Sequence, residues 1–328
     1  MSGIGRSPDV VVVGAGIAGV ACARELRAGG LAVRLLDRGH HPGGRMASKR
    51  LAGRPTDLGA SYFTVSDPDF RDVVADWQER GLARQWTRTF CALGDGDPLV
   101  KQGPVRWGAP TGLRSLVEDL AAEVGVERHD VADLSGLAAA AVVLAMPDPQ
   151  ARRLLAPDHP LRARLDREFE PVLALAARWP ERTWDDVSPT GRFDGAFVNG
   201  DAVLAWVADD GRRHGDDAPV LVAHSTPDFA GRHLEDPAAA GPELVQALRR
   251  VLRLSEPLET HVHRWTFARP VGQRIEPWAI VEGPDGLLGA CGDGWGASPK
   301  VETAWLSGRD LGRELVARLG QQPTIHVE

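Results

Sequence analysis

Three glycines, Gly14, Gly16 and Gly19, stand at the G-x-G-x-x-G spacing, and an acid, Asp37, closes the apolar run that follows. These residue types suit the binding of a pyrophosphate-linked nucleotide. The first glycine permits a tight turn, the second lets main chain approach the phosphates, and the third lets a helix pack closely on a strand. Asp37 supplies a carboxylate that accepts hydrogen bonds from ribose hydroxyls. A second glycine-rich stretch, Gly292-Asp293-Gly294-Trp295-Gly296, lies between an apolar run and a long helical pattern, with Lys300 just before the helix. A helix N-terminus after such a turn gathers main-chain N–H groups and the positive end of a dipole, which favours negative charge.

The elements needed to present these residues are legible around them. Val10 to Val13 is a β-branched run of the kind buried in a parallel sheet, a helix opens near Ala15, and residues 32–36 form a strand ending at Asp37. By itself this unit fits NAD or FAD. Gly43-Gly44-Arg45 adds main chain and a cation near the phosphates, for which a pure NAD domain has no particular need. Asp69 to Gly81 and Leu113 to Val124 carry apolar residues at helical spacing. Residues 86–105 alternate about a Gly94 to Pro98 turn, as a hairpin does. Residues 126–131 and 140–145 read as strands of the nucleotide sheet, with a helix starting at Gln150. Residues 170–270 are richer in strand-like segments and tryptophan, interrupted by a helix at 242–254, and mark a second part of the chain. A strand at 287–290 and a helix at 301–319 close the sequence.

A chain of 328 residues can bury a sizeable core and house two domains. No apolar run approaches the ~18 residues of a membrane span; the longest, Leu137 to Met146, reads as a buried strand. The opening MSGIGRSPD lacks the apolar stretch of a secretory signal. Cys22, Cys91 and Cys291 are too widely separated for a disulfide framework or a metal site. A reducing, cytoplasmic setting is the expectation. The net charge of −7 argues against a nucleic-acid partner. No Ser/His/Asp or Cys/His nucleophilic set stands out, and no metal-ligand cluster does.

Seven stretches, in order, carry a resemblance: VVVGAGIAGVACARELRAGG, LLDRGHHPGGRMASKR, DLGASYFTVSDPDF, VRWGAPTGLRSLVEDLA, VVLAMPDPQARRLL, HRWTFARPVGQ and GDGWGASPKVETAWLSG. Together the chain resembles the renalase group of FAD-dependent oxidoreductases, within the amine-oxidase-like flavoproteins. The resemblance implies an α/β fold: a Rossmann-type FAD-binding domain of the glutathione-reductase and amine-oxidase kind from residues 8–66, 105–168 and 276–320. An inserted α+β substrate domain is implied from 67–104 and 169–275. It implies non-covalent FAD in an extended pose, with Gly14, Gly16, Ile17, Ala18 and Gly19 at the pyrophosphate and Asp37 on the adenosine ribose. Arg38, Gly44 and Arg45 are implied beside the phosphates and ribityl, and Val131 at the adenine. Ala60, Ser61, Tyr62 and Phe63 are implied at or near the ring cavity, with Asp293, Lys300 and Val301 at the other end of the cofactor. The family oxidises the 2- and 6-dihydro isomers of NAD(P) and passes the electrons to O2.

Hydride loss from a dihydropyridine yields an aromatic cation, so positioning rather than acid–base catalysis is expected to dominate, and no catalytic residue is singled out. Pocket candidates are Tyr62, Trp206, His263, Arg264 and Trp265, against the simpler readings of core tryptophans, strand-face histidines and an exposed arginine. Four departures bear on the substrate. Ser61 stands where relatives carry glutamine, the chain is short between Val131 and Ala140, and Lys300 replaces an arginine and loses its planar fork. Trp206 to Gly211 brings Asp209 and Asp210 where relatives are more basic, and an acidic rim there repels an anionic dinucleotide and suits a cation. An amine oxidase or desaturase therefore stays open, as does a flavin-binding protein without catalysis.

Overall fold

The computed structural model describes residues 8–283 and 286–320. Most of the MSGIGRSPD stretch lies outside the described residues. The described residues form two compact units: 8–44, 117–168 and those within 270–320 make the first, and 45–116 with 169–269 the second. Residues 45–66 and 105–116, which the sequence groups with the nucleotide-binding part, pack with the second unit.

In the first unit six strands run in the order Ala279–Gly283, Gly286–Ala290, Ala141–Leu144, Val10–Val13, Val33–Asp37, Glu127–Arg128. The strand Val10–Val13 pairs in parallel with both neighbours, and all four valines are buried. A strand covered on both faces has no polar alternation to show, which explains the unbroken valine run. Only the edge pair of Ala279–Gly283 with Gly286–Ala290 is antiparallel. The helix Ile17–Ala28 crosses the closing helix Val301–Gly320 at glycines. A methyl on Gly308 would stand 1.9 Å from the Ala18 carbonyl oxygen, and one on Gly312 would be 2.8 Å from that of Cys22. The expected strand at 126–131 is reduced to Glu127–Arg128, and among the described residues no strand lies between Arg128 and Ala141.

The second unit is built on a seven-stranded sheet in the order Glu259–Pro270, Phe169–Arg178, Val220–Ser225, Leu204–Asp209, Gly195–Val198, Arg84–Leu93, Leu99–Gly108. The last two form the expected hairpin. Period-two alternation gives each strand two faces. Leu173, Leu175, Val207, Leu221 and Ala223 face a core shared with the helix Gly241–Leu252. Ala174, Ala176, Val220 and Val222 point the other way and pack with Leu51 and Leu58 of the ribbon side, while Phe90, Trp206 and Ala208 form an aromatic cluster. The two-stranded ribbon Ser48–Leu51/Arg54–Asp57 and the short helices Asp210–His214 and Pro227–Arg232 carry too few residues to show a period in sequence. Among the described residues no helix is long and apolar enough to cross a membrane.

Candidate functional site

The first unit presents its glycines as a cradle. Gly14 adopts φ +107°, a conformation that L side chains rarely take, and a side chain there would meet the Ala145 carbonyl oxygen. A methyl on Gly19 would lie 1.9 Å from the Gly14 carbonyl oxygen, so only glycine lets the helix sit this close to its strand. Gly16 caps the helix Ile17–Ala28 with no side-chain hydrogen bond, and a methyl there meets nothing nearer than the Gly44 Cα at 4.0 Å. Room in front of uncapped N–H groups fits a pyrophosphate. Ile17 and Ala18, both buried, form the first turn behind it. Gly43 N–H donates to the Ala15 carbonyl at 2.9 Å and brings Gly44 over Gly16. Asp37 is held by two main-chain donors, Ala15 N–H to Oδ2 and Gly39 N–H to Oδ1, both at 2.7 Å. Each oxygen keeps a second lone pair for a ribose hydroxyl. Arg38 is exposed and Val131 is half-buried against the sheet's core.

The second glycine-rich turn belongs to the same unit, and its supports escaped the sequence reading. The Arg167 guanidinium donates to the carbonyls of Gly294 at 2.6 Å, Val271 at 3.0 Å and Gly272. Arg274 lies 3.9 Å over the Trp295 ring and reaches Asp148 at 2.8 Å. Burial pushes the Asp148 carboxyl above its ordinary value, against the pull of Arg274. Gly292 N–H donates to Ser307 Oγ at 3.0 Å. Asp293 is half-buried, Lys300 is exposed, and Val301 begins the closing helix. Isolated arginines carry no periodic signal, so nothing in the text marked them.

In the second unit the turn Asp57-Leu58-Gly59-Ala60-Ser61 is the most heavily tied stretch. Ser48 Oγ donates to Asp57 Oδ1 at 2.5 Å, Leu113 N–H adds a bond at 3.0 Å, and His214 Nε2 lies 3.1 Å from Oδ2. Arg213, fully buried, donates to the carbonyls of Ser61 and Asp57, each at 2.9 Å, and pairs with Asp210. Leu58 O accepts from Trp265 Nε1 at 2.9 Å and from His224 Nε2 at 3.1 Å. Ala60 N–H donates to the Arg45 carbonyl at 2.9 Å, while the Arg45 guanidinium donates to Ala268 O at 3.0 Å. Asp57, Asp210 and His214 are close enough to share a metal ion, but Arg54 and Arg213 already hold the oxygens of Asp210. The arrangement reads as a strut.

That strut corrects the acidic-rim expectation. Asp209 and Asp210 are both 0 % exposed. Asp209 pairs with Arg182 at 2.6 Å and accepts from Trp184 Nε1 at 2.7 Å. Burial would raise the Asp210 carboxyl, yet Arg213, His214 and Arg54 together hold it below the ordinary carboxylate range. Neither acid forms a rim, because each points inward to an arginine.

The pocket candidates separate. Tyr62 and Trp206 meet, with ring centroids 6.0 Å apart, in a cluster with Trp86 and Phe90. Ser61 Oγ accepts the Trp206 indole N–H at 3.0 Å, so the serine has a contact of its own within the fold. Phe63 points the opposite way and is a core side chain, 2 % exposed, among Phe70, Trp77 and Trp107. His263 and Trp265 sit on the edge strand Glu259–Pro270, with two strands between it and the strand of Trp206. Their rings are 4.4 Å apart, and burial, with Lys49 nearby, lowers the His263 imidazole to about 4. Arg264 is exposed and donates to the Leu234 carbonyl, the simpler of its two readings. The sequence missed Arg106, which lies 4.1 Å over the Phe90 ring.

Comparison with known proteins places these features in context. The profile of an NAD(P)-binding Rossmann-like domain matches residues 12–77, and that of the flavin containing amine oxidoreductases matches residues 108–313. A Mycobacterium tuberculosis protein named as a flavin-containing monoamine oxidase is 36% identical over 117 residues, 30% of this chain and 25% of its own length. Hydroxyneurosporene desaturase of Rubrivivax gelatinosus is 48% identical over 60 residues, 18% of this chain and 11% of that protein. The matched stretch thus spans about a quarter or less of these relatives. Among solved structures, cyclohexylamine oxidase from Brevibacterium oxydans superposes with a TM-score of 0.73 over 96% of this chain and 100% of its own, at 14% identity, a likeness of fold.

Proposed function

This chain belongs to the flavin containing amine oxidoreductase family, and from that membership we propose that it is an FAD-dependent oxidoreductase of renalase type, oxidising the 2- and 6-dihydro isomers of NAD(P). The observation that carries this reading is the burial of Asp209 and Asp210 against Arg182, Arg54 and Arg213. The feature that favoured a cationic substrate is neutralised inside the fold, and the seven family stretches then weigh toward an anionic dinucleotide.

The first unit's residues would hold FAD: main-chain N–H groups at Gly16 to Ala18 on the pyrophosphate, Asp37 on the ribose, and the turn at Gly292 to Gly296 toward the other end. Bound FAD would supply a two-electron acceptor, so that dihydro-NAD(P), O2 and a proton give NAD(P)+ and H2O2. The second unit's task is orientation. Its turn at Asp57 to Ser61, fixed by Arg213, Trp265 and His224, carries Tyr62 into the aromatic cluster on a rigid main chain. No proton need be moved by a side chain. Three buried, free cysteines support non-covalent FAD and a cytoplasmic setting. The second reading, an amine oxidase or desaturase, is favoured by the names of the relatives that match.

Anaerobic mixing of the yellow protein with 6-dihydro-NAD, 2-dihydro-NAD, NADH and a panel of amines separates the readings. Rapid bleaching of the flavin band by a dihydro isomer and not by NADH is the expected result. Bleaching by amines alone overturns the renalase reading in favour of the second, and bleaching by nothing leaves a flavin-binding protein without this catalysis.

A further inference from the structure

Arg106 is a buried cation with no counter-ion among the described residues. It is 8 % exposed, and its Nε and Nη1 are sealed from solvent without a hydrogen-bond acceptor. The other buried arginine of the second unit, Arg213, has Asp210 and two carbonyls, and the partly buried Arg54 and Arg182 have acids, Asp210 with Asp216 for Arg54 and Asp209 for Arg182. Buried charges are ordinarily paired, because desolvation is costly, so an arginine left this way in a well-paired fold marks where charge is to arrive. Among the described residues its compensation comes from ring faces, Phe90 at 4.1 Å and Tyr62 at 5.9 Å from the guanidinium carbon.

The surroundings are a packed aromatic cluster, with Trp86 6 %, Phe90 2 % and Trp206 7 % exposed, that reaches solvent at one end. Tyr62 lies 6.3 Å from Trp86 and 5.3 Å from Phe90, and Phe90 lies 4.7 Å from Trp206. The cluster continues to Phe197, 4.9 Å from Trp206 and 43% exposed, an unusual exposure for a phenylalanine in an otherwise buried group. Trp86 Nε1 is a second buried donor with no acceptor. Tyr62 and Ser61 are fixed by the Arg213 strut, so the cluster's geometry is set before any ligand binds. An aromatic box of this kind would suit an alkylammonium ion, but here a guanidinium already lies over two of its rings and repels a second cation.

We propose that Arg106 and the rings of Tyr62, Trp86, Phe90 and Trp206 form an anion subsite, which takes the phosphate-bearing part of a substrate that also carries a planar ring. This rests on the dihydronicotinamide reading above and deepens it: the subsite selects phosphorylated dihydronicotinamides over phosphate-free ones and over amines. Arg106 is thereby a specificity determinant and takes no part in the hydride step.

Two measurements on the holoprotein test it. Calorimetric titration with inorganic pyrophosphate is expected to show saturable binding that weakens by roughly 10- to 100-fold in Arg106→Met and recovers partly in Arg106→Lys, as loss and partial return of a charge-assisted hydrogen bond dictate. In turnover, the ratio of kcat/KM for 6-dihydro-NAD over 6-dihydronicotinamide riboside is expected to fall by a similar factor in Arg106→Met, with the change in KM. An unchanged ratio, or pyrophosphate bound equally by wild type and Arg106→Met, overturns the subsite. So does a shifted flavin spectrum in Arg106→Met with pyrophosphate binding intact, which would assign the guanidinium to the cofactor. If the wild type oxidises neither dihydronicotinamide, the proposed function fails, and the pyrophosphate titration alone still decides the subsite. Should Arg106→Met fail to fold, Arg106→Lys carries both comparisons.

Discussion

Under the proposed function Asp37 serves two purposes. Its oxygens tie down Ala15 and Gly39 while leaving lone pairs for a ribose. Asp37→Ala is therefore expected to weaken FAD retention by about tenfold or more, measured by equilibrium dialysis, and to cost about 1–3 kcal/mol of stability through two lost main-chain bonds. Unchanged retention would remove Asp37 from the cofactor site. His224 makes a pH prediction. Burial first, then the charge of Arg213, lowers its imidazole to about 4, below the ordinary 6.5, and its Nε2 bonds the Leu58 carbonyl. The unfolded chain thus binds the proton more readily between pH 6.5 and 4. Stability from this group is full above the unfolded value and is lost as pH falls through that window. Urea unfolding at pH 7 and pH 5 is expected to show a loss of about 2 kcal/mol from this residue. His224→Gln is expected to flatten that dependence, and an equally steep pH profile in the variant would show that another group is responsible. Each of these side chains was visible as a letter, yet its partner was not: Asp209 and Asp210 looked like an exposed acidic pair until Arg182, Arg54 and Arg213 were found on them.

Among elements, the helix Ile17–Ala28 and the closing helix Val301–Gly320 depend on glycines for their approach. Gly308→Ala places a methyl 1.9 Å from the Ala18 carbonyl oxygen, main chain that cannot swing aside as a side chain could. The variant is expected to lose about 1–3 kcal/mol, the usual range for overpacking, or to push the helices apart. A melting temperature equal to wild type would show that the crossing has slack. Under the proposed function both helices bear on cofactor binding, since one begins at Gly16 and the other follows the second glycine turn, so looser FAD retention is expected to accompany the stability loss. These long helices and the strands Val10–Val13 and Ala141–Leu144 were legible because periodicity accumulates over many residues. The ribbon Ser48–Leu51/Arg54–Asp57, the helix Asp210–His214 and the strand Ala279–Gly283 were not, because four or five residues carry too little pattern to separate from a loop.

At the scale of the molecule, each of the two units is drawn from separated segments of the chain, and the second gathers residues 45–116 and 169–269 around one sheet. The sequence alone determined the nucleotide half: a strand, glycines at fixed spacing, a helix and an acid are contiguous, so the order of letters is already the order in space. It also determined the broader family, the flavin containing amine oxidoreductases, whose profile matches residues 108–313. What only the tertiary structure decided is the meaning of the middle. Pairings such as Arg213 with Asp57 and Ser61, Trp265 with Leu58, and Arg106 with Phe90 join residues far apart or offset in sequence. Whether an acid is a rim or a strut, and whether an arginine is satisfied or waiting for charge, depends on burial and on partners brought from other segments. Those are properties of the packed chain, and no local spacing encodes them.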